Sequence, residues 1–209
     1  MLKNQLRPAI LMTLLLCVIT GLVYPGIVTG LAQVAFPRQA NGSLVTVNGR
    51  VVGSALIGQP FARPEYFHPR PSAAGNNGYD PTASSGTNKG PTDTKLADTL
   101  VAQAVAGVVK DEGAVRGRIP ADMVTNSGSG LDPDISPANA RLQVARVARA
   151  RGASADALQR VVDAHTAGRQ FGFLGEPRVN VLLLNIAVDS AFPRPATAGA
   201  AAAPTVPSR

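Results

Sequence analysis

Tryptophan is absent, cysteine occurs once and histidine twice, and each shortage closes off a class of function. The single cysteine, Cys17, excludes an intrachain disulfide and leaves the redox compartment unread. His68 and His165 have no cysteine or carboxylate at ligand spacing, so the pattern of a metal site is missing. Charge is thin as well: 20 Lys and Arg against 13 Asp and Glu give +7, and setting Lys3 and Arg7 aside leaves 18 against 13. A nucleic-acid footprint concentrates its basic residues on one face or run, with aromatic partners. Here the arginines are spread and aromatics make up 4% of the chain, so the excess reads as solubility and nucleic acid is not a partner.

What is present in quantity is one apolar run. Ala9 to Phe36 holds 28 residues without a charge, between Lys3 and Arg7 on one side and Arg38 on the other. Spanning a hydrocarbon core of about 30 Å takes ~20 apolar residues, and no comparable run recurs. In lipid a solitary span must pair all its own backbone groups, which requires a helix. Fully helical, the run would extend about 42 Å, more than one crossing needs. Tyr24-Pro25-Gly26 is the place to absorb the surplus, by kinking the helix or ending it. Lys3 and Arg7 favour a cytoplasmic N-terminus, which puts the rest of the chain outside. A cleaved signal peptide fits poorly, because its apolar region is about half as long and Ala32-Gln33-Val34 is a weak cleavage site. A lipoprotein signal needs a small residue before the cysteine, and Leu16 stands there. Thr13, Thr20, Gly21, Gly26, Thr29 and Gly30 permit close helix approach in lipid, so the span either tethers or docks against a membrane neighbour.

Beyond the span the reading is of one mixed α/β extracytoplasmic domain over residues 38–192, after an anchor over 1–37 and before a Pro/Ala-rich tail, 193–209, expected to be disordered. Leu44 to Val47 and Arg50 to Ile57 flank Asn48-Gly49, the pattern of a hairpin on a type I′ turn. Six prolines from Pro60 to Pro91 forbid a long regular element, and Phe61, Tyr66, Phe67 and Tyr79 mark that stretch as a functional loop. These aromatics either pack on the domain's own core or anchor a partner. A helix is predicted from a cap at Thr92 or Thr94 to Gly113, a short strand over Ile119 to Thr125, a helix from the Ser136 cap through Pro137 to Gly152, and another from the Ser154 cap to Gly168-Arg169. Arg178 to Val188 is short enough for a central strand and equally fits a buried helix.

Two motifs suggest chemistry. Asn126-Ser127-Gly128-Ser129-Gly130 precedes a helix, as phosphate-cradling turns do, yet it lacks the Gly-Lys-Ser/Thr closing element and Gly-x-Gly-x-x-Gly spacing, and a structural turn is the better reading. Ser127 or Ser129 with His68 and Asp132 would serve a membrane-tethered hydrolase, but the segment fails the Gly-x-Ser-x-Gly elbow at its first glycine.

Arg7-Pro8 and the span, Thr20 to Gly26, Gly58-Gln-Pro-Phe61, Tyr66-Phe67-His68-Pro69-Arg70-Pro71-Ser72, Thr125 to Pro137, Gln143 with Arg146-Val147-Ala148, and Leu174 to Asn185 together resemble the C-subunit family of the bacterial Kdp potassium-transporting P-type ATPase. The likeness runs from Met1 to about Phe192. Asp134, where histidine is expected, and the tail depart from the pattern. The resemblance implies a non-catalytic subunit of an inner-membrane complex, with a channel-like potassium-translocating subunit, an ATP-hydrolysing subunit and membrane lipid as partners. The family is described as assisting assembly and as a catalytic chaperone that raises the pump subunit's affinity for ATP. ATP and potassium are thus used by the complex, with neither bound directly here. The residues the resemblance marks are the loop Ser127, Gly128, Ser129, Gly130, Leu131, Asp132 and Pro133, the partner contacts Tyr66, Phe67, His68, Arg70, Arg178 and Asn180, and the membrane kink Tyr24, Pro25 and Gly26.

Overall fold

A computed structural model of the protein describes residues 2–90 and 92–193; the tail after Pro193 lies outside the described residues. The chain divides into two compact units, Met1–Ser54 and Ala55–Arg209, a mixed helix and sheet architecture with one N-terminal apolar helix.

In the first unit, α1 (Leu2–Val18) and α2 (Tyr24–Ala35) are one continuous helical path joined by a π-helical turn, Ile19–Val23. Pro25 is the cause. Its ring nitrogen cannot donate to the carbonyl four residues back and its ring crowds that carbonyl. One extra residue is taken into the turn, so the Tyr24 N–H reaches Ile19 O, while the Thr20 hydroxyl donates to Leu16 O at 2.7 Å. The helix therefore does not end at Tyr24-Pro25-Gly26. Gln5–Ala35, 31 residues, is long and apolar enough to cross a membrane, with no part of its apolar window buried within the unit. After the short α3 (Pro37–Ala40), β1 (Leu44–Val47) and β2 (Arg50–Ser54) form the predicted hairpin. Asn48 at φ 51° and Gly49 at φ 77° make its turn. A bulge opposite Val45/Thr46 strengthens its twist, and the second strand stops at Ser54, three residues before the end of the apolar run.

The second unit packs helices against a three-stranded antiparallel sheet, ordered β3-β5-β4: β3 is Asp134–Ile135, β4 Thr166–Ala167 and β5 Arg178–Asn180. Its first helix is π-helical over Lys95–Val101 and continues as α4 (Ala102–Glu112), closed by Gly113 in the left-handed region. Neither predicted threonine caps it. Asp93 does, accepting the Lys95 N–H at 2.8 Å while Lys89 holds its other oxygen at 2.9 Å. The strand expected over Ile119 to Thr125 is instead a single 3₁₀ turn, Ala121–Met123. That turn delivers Asp122 to the start of the next helix, α5 (Pro137–Arg151), where its carboxylate accepts from the Ser136 N–H, the Ser136 hydroxyl and the Asn139 amide at 2.8–3.0 Å.

Ser136 and Ser154 cap α5 and α6 (Ala155–Ala164) as predicted, each accepting from an N–H three residues on. The α6 helix stops at Ala164 rather than Gly168, because Thr166 and Ala167 are drawn into pairing with β5. The run from Arg178 is strand and helix in succession. Asn180 closes β5 and its side chain accepts the Leu183 N–H at 3.1 Å, starting α7 (Val181–Ala191). Val181, Leu184, Asn185 and Val188 then fall on one buried face at helical spacing. The core joins Phe67, Ile135, Val144, Val147, Leu158, Val162, Val179, Leu184 and Val188, with Phe61, Val161 and Phe192 packed on it.

Candidate functional site

The proline-bounded segment Gly58–Gly86 has no helix or strand of its own beyond single turns, so its backbone groups must be satisfied from elsewhere. Two carboxamides do this at adjacent residues. Asn185 on α7 accepts the Phe67 N–H at 2.8 Å and donates to Phe67 O at 3.0 Å; Gln143 on α5 accepts the His68 N–H at 2.7 Å and donates to His68 O at 3.0 Å. Each side chain acts as a strand edge would. With its backbone paired on both sides, Phe67 enters the core with 0% exposure.

Two arginines of α5 fasten the residues just before. Arg146 donates to Pro64 O, Tyr66 O and Gln143 Oε1 at 2.7–2.9 Å, and its Nε meets Glu112 Oε1 at 2.7 Å. Arg151 donates to Glu65 O and Phe192 O, pairs with Asp189 at 2.8 Å and lies 4.9 Å from the Tyr66 ring centre. The Tyr66 hydroxyl donates to Asp189 at 3.0 Å. Arginine suits this task because its fork reaches several carbonyls from one buried point. Burial pushes the Glu112 carboxyl above its ordinary value, against the pull of Arg146. Burial and the Arg146 charge lower His68, whose ring Nε2 sits 3.1 Å from Arg63 O.

The serine and glycine loop is sewn to the same segment. Ser72 donates to Gly130 O at 2.6 Å, the Ser85 N–H and the Ser84 hydroxyl both reach Ser129 O at 3.0 Å, and the Gly58 N–H reaches Leu131 O at 2.8 Å. Gly130 has φ 67°, and a Cβ there would lie 2.5 Å from Ser85 O. Arg70 binds Asp132 at 2.9 Å and Asn126 O at 3.2 Å. Tyr79, its phenol pushed up to about 12 by burial, donates to Arg70 O. Leu131 and Gly130 are buried, and Pro133 O accepts the Val181 N–H at 2.9 Å.

The loop residues from Ser127 to Pro133 are thus brought together with Arg70. The Ser127 and Ser129 hydroxyls lie 3.4 Å from each other, and Ser129 Oγ accepts the Leu131 N–H. Neither has His68 as a hydrogen-bond partner, since the His68 ring turns to Arg63. The phosphate-cradle geometry is also occupied from within, because Ser136 and the Asp122 carboxylate already take the start of α5. Of the marked contact residues, Phe67 is core, Tyr66 is half-buried on Arg151 and Asp189, and Asn180 donates to Ala55 O at 2.9 Å. Arg178 is the exposed member, paired with Asp134 at 3.0 Å; burial raises the Asp134 carboxyl despite that charge. Glu112, Asp122 and Arg151 carry no local sequence signal of their part in this site; the helical pattern places only Arg151, at the end of α5.

Fold and site define a class: an α/β unit following a membrane-length apolar helix, whose marked polar residues hold its own backbone. Residues 6–190 match the family described as K+-transporting ATPase, c chain (KdpC), and the chain belongs to that family, a subunit of the K+-transporting ATPase. It is similar to the potassium-transporting ATPase KdpC subunit of Gemmatimonas aurantiaca, 65% identical over 187 residues, covering 90% of this chain and 93% of the relative. The corresponding subunits of Geobacter sulfurreducens and Koribacter versatilis are each 54% identical, over 191 and 193 residues, covering 91% and 92% of this chain and 100% and 98% of theirs. The family name places the chain in a complex with other chains of that ATPase and, with the apolar helix, associates it with a membrane.

Proposed function

We propose that this chain is an accessory, non-catalytic subunit that braces the potassium-entry side of an ATP-driven uptake complex. Residues 1–37 cross the inner membrane with the N-terminus inside, and residues 38–192 form the outer domain. One observation carries the reading: Ser129, Asp132, Gln143, Arg146 and Asn185, all within the motifs of the family resemblance, are spent on the chain's own backbone. Such a unit presents a fixed surface. Its partners are the channel-like potassium-translocating subunit and the ATP-hydrolysing subunit. ATP lies on the other side of the bilayer from the outer domain, so the rise in the pump subunit's ATP affinity is transmitted through subunit contacts and not through nucleotide held at Ser127–Gly130. Lys3 and Arg7 support the orientation, being cationic residues close to one end of the span.

Membrane-impermeant thiol labelling of Asp156→Cys, an exposed position on α6, tests it. Labelling in intact cells is expected; labelling only after lysis overturns both the orientation and the transmitted mechanism.

A further inference from the structure

Between β4 and β5 the chain makes a tight excursion, Arg169 to Glu176. At its tip Phe171 is 86% exposed and Phe173 70%, and Leu174 beside them is 46% exposed. Among the described residues, the other large apolar side chains this unit exposes, Leu56, Leu100, Val115 and Leu183, are isolated in the sequence. Three exposed apolar side chains within four residues are the exception.

The tip is also rigidly built. Gln170 and Leu174 exchange both backbone hydrogen bonds at 2.9 Å, and the Phe173 N–H returns to Gln170 O at 3.2 Å. Arg169 clamps the base, donating to Gly175 O and Glu176 at 2.6 Å. Phe171 sits at φ 53°, left-handed backbone that a bulky side chain adopts only at a cost. The Phe171 side chain lies outside the unit's core.

We propose that this tip is an anchor which docks into an apolar socket on a neighbouring chain of the ATPase. The inference rests on the accessory-subunit reading above. Two features favour a protein socket over lipid or a second copy. Lipid accepts apolar side chains in any orientation, whereas a fixed hairpin with a strained Phe171 is matched to a shape. The exposed Arg169–Glu176 pair beside the aromatics gives the arrangement of a protein interface, apolar centre and polar rim. Membership in a multichain ATPase supplies the neighbour, while a closed homodimer would need a self-complementary patch.

The test uses the intact complex, extracted in mild detergent through a tag on this chain. Phe173 is replaced by a photo-crosslinking phenylalanine analogue, and in parallel Phe171→Ser/Phe173→Ser is compared with wild type, with Val115→Ser as an exposed control. A crosslink to another chain of the ATPase, and about tenfold or greater loss of copurified chains in the double variant alone, are expected. A crosslink only to lipid or to a second copy overturns the inference, as does unchanged copurification without a crosslink. If wild type itself brings no other chain, the accessory-subunit reading fails first; if wild type and double variant bring them equally and Phe173 crosslinks to none of them, only the tip proposal fails. Circular dichroism of the double variant checks folding, and the crosslinking arm does not depend on it.

Discussion

Two loops of the second unit carry aromatic residues and meet opposite fates. The segment around Tyr66-Phe67-His68 buries its phenylalanine completely, whereas the tip around Phe171 and Phe173 shows both of its phenylalanines to solvent. Hydrophobicity does not separate them, since the side chains are the same. The backbone does. The first loop leaves its peptide groups to Asn185, Gln143, Arg146 and Arg151, and that pulls it onto the helices. The second satisfies its own in a hairpin turn and has no such tie. An aromatic in an irregular segment is buried where the rest of the fold supplies partners for the main chain beside it, and is left for a neighbour where it does not.

Substitutions can break that comparison, beginning with the largest expected effect. In the full-length protein in detergent, Arg146→Ala should cost about 3–5 kcal/mol in denaturant unfolding, because Glu112, with a side chain 2% exposed, loses its counter-charge. Phe67→Ala removes the side chain those contacts position, with a cost of about 3–5 kcal/mol as well. Asn185→Ala leaves a buried N–H and carbonyl of Phe67 unpaired, worth about 1–3 kcal/mol. If Asn185→Ala were silent, backbone capture would not be what buries the segment.

His68 sharpens the same region through pH. Its folded value is lowered from 6.5 by burial and then by Arg146, against a raising influence from Asp111 and the Arg63 carbonyl. Stability from this group is therefore present above pH 6.5 and lost as pH falls through the folded value. Unfolding measured from pH 7.5 down to 5.5 should show wild type losing its advantage over His68→Gln, and a constant difference would contradict the burial. At the small end, Phe171→Ala and Phe173→Ala should leave the stability of the isolated chain within about 0.5 kcal/mol. Phe171→Gly should raise it by about 1 kcal/mol through relief of the left-handed backbone.

Much of the scaffold was legible locally. Ser136, Ser154, Gly113 and Gly152 mark helix ends at the positions where they cap them, and Asn48-Gly49 turns the hairpin. These signals act over a few residues. The site was less legible because it is made by side chains meeting main chain 75 to 118 positions away. Asp122 looked like part of a strand because the pattern of Ile119 to Thr125 says nothing about the helix start it serves. Asn180 likewise hid a change from strand to helix inside an apolar run, since periodicity blurs where a cap interrupts it. Among the loop aromatics, Phe67 is buried and Tyr66 half-buried; the exposed Phe171 and Phe173 lie just past the helix end expected at Gly168-Arg169, where no local pattern marks them.

The central claim is that this chain works by contact and not by chemistry of its own. The direct measurement is potassium-stimulated ATP hydrolysis by the complex purified through this chain, carrying Ser127→Ala/Ser129→Ala. The account predicts that the chain brings its partner subunits with it and that the rate stays within about twofold of wild type, because these hydroxyls only brace a loop. Loss of hydrolysis in a complex that assembles and folds normally, or a chain that purifies alone and turns over a substrate through Ser129, would contradict it.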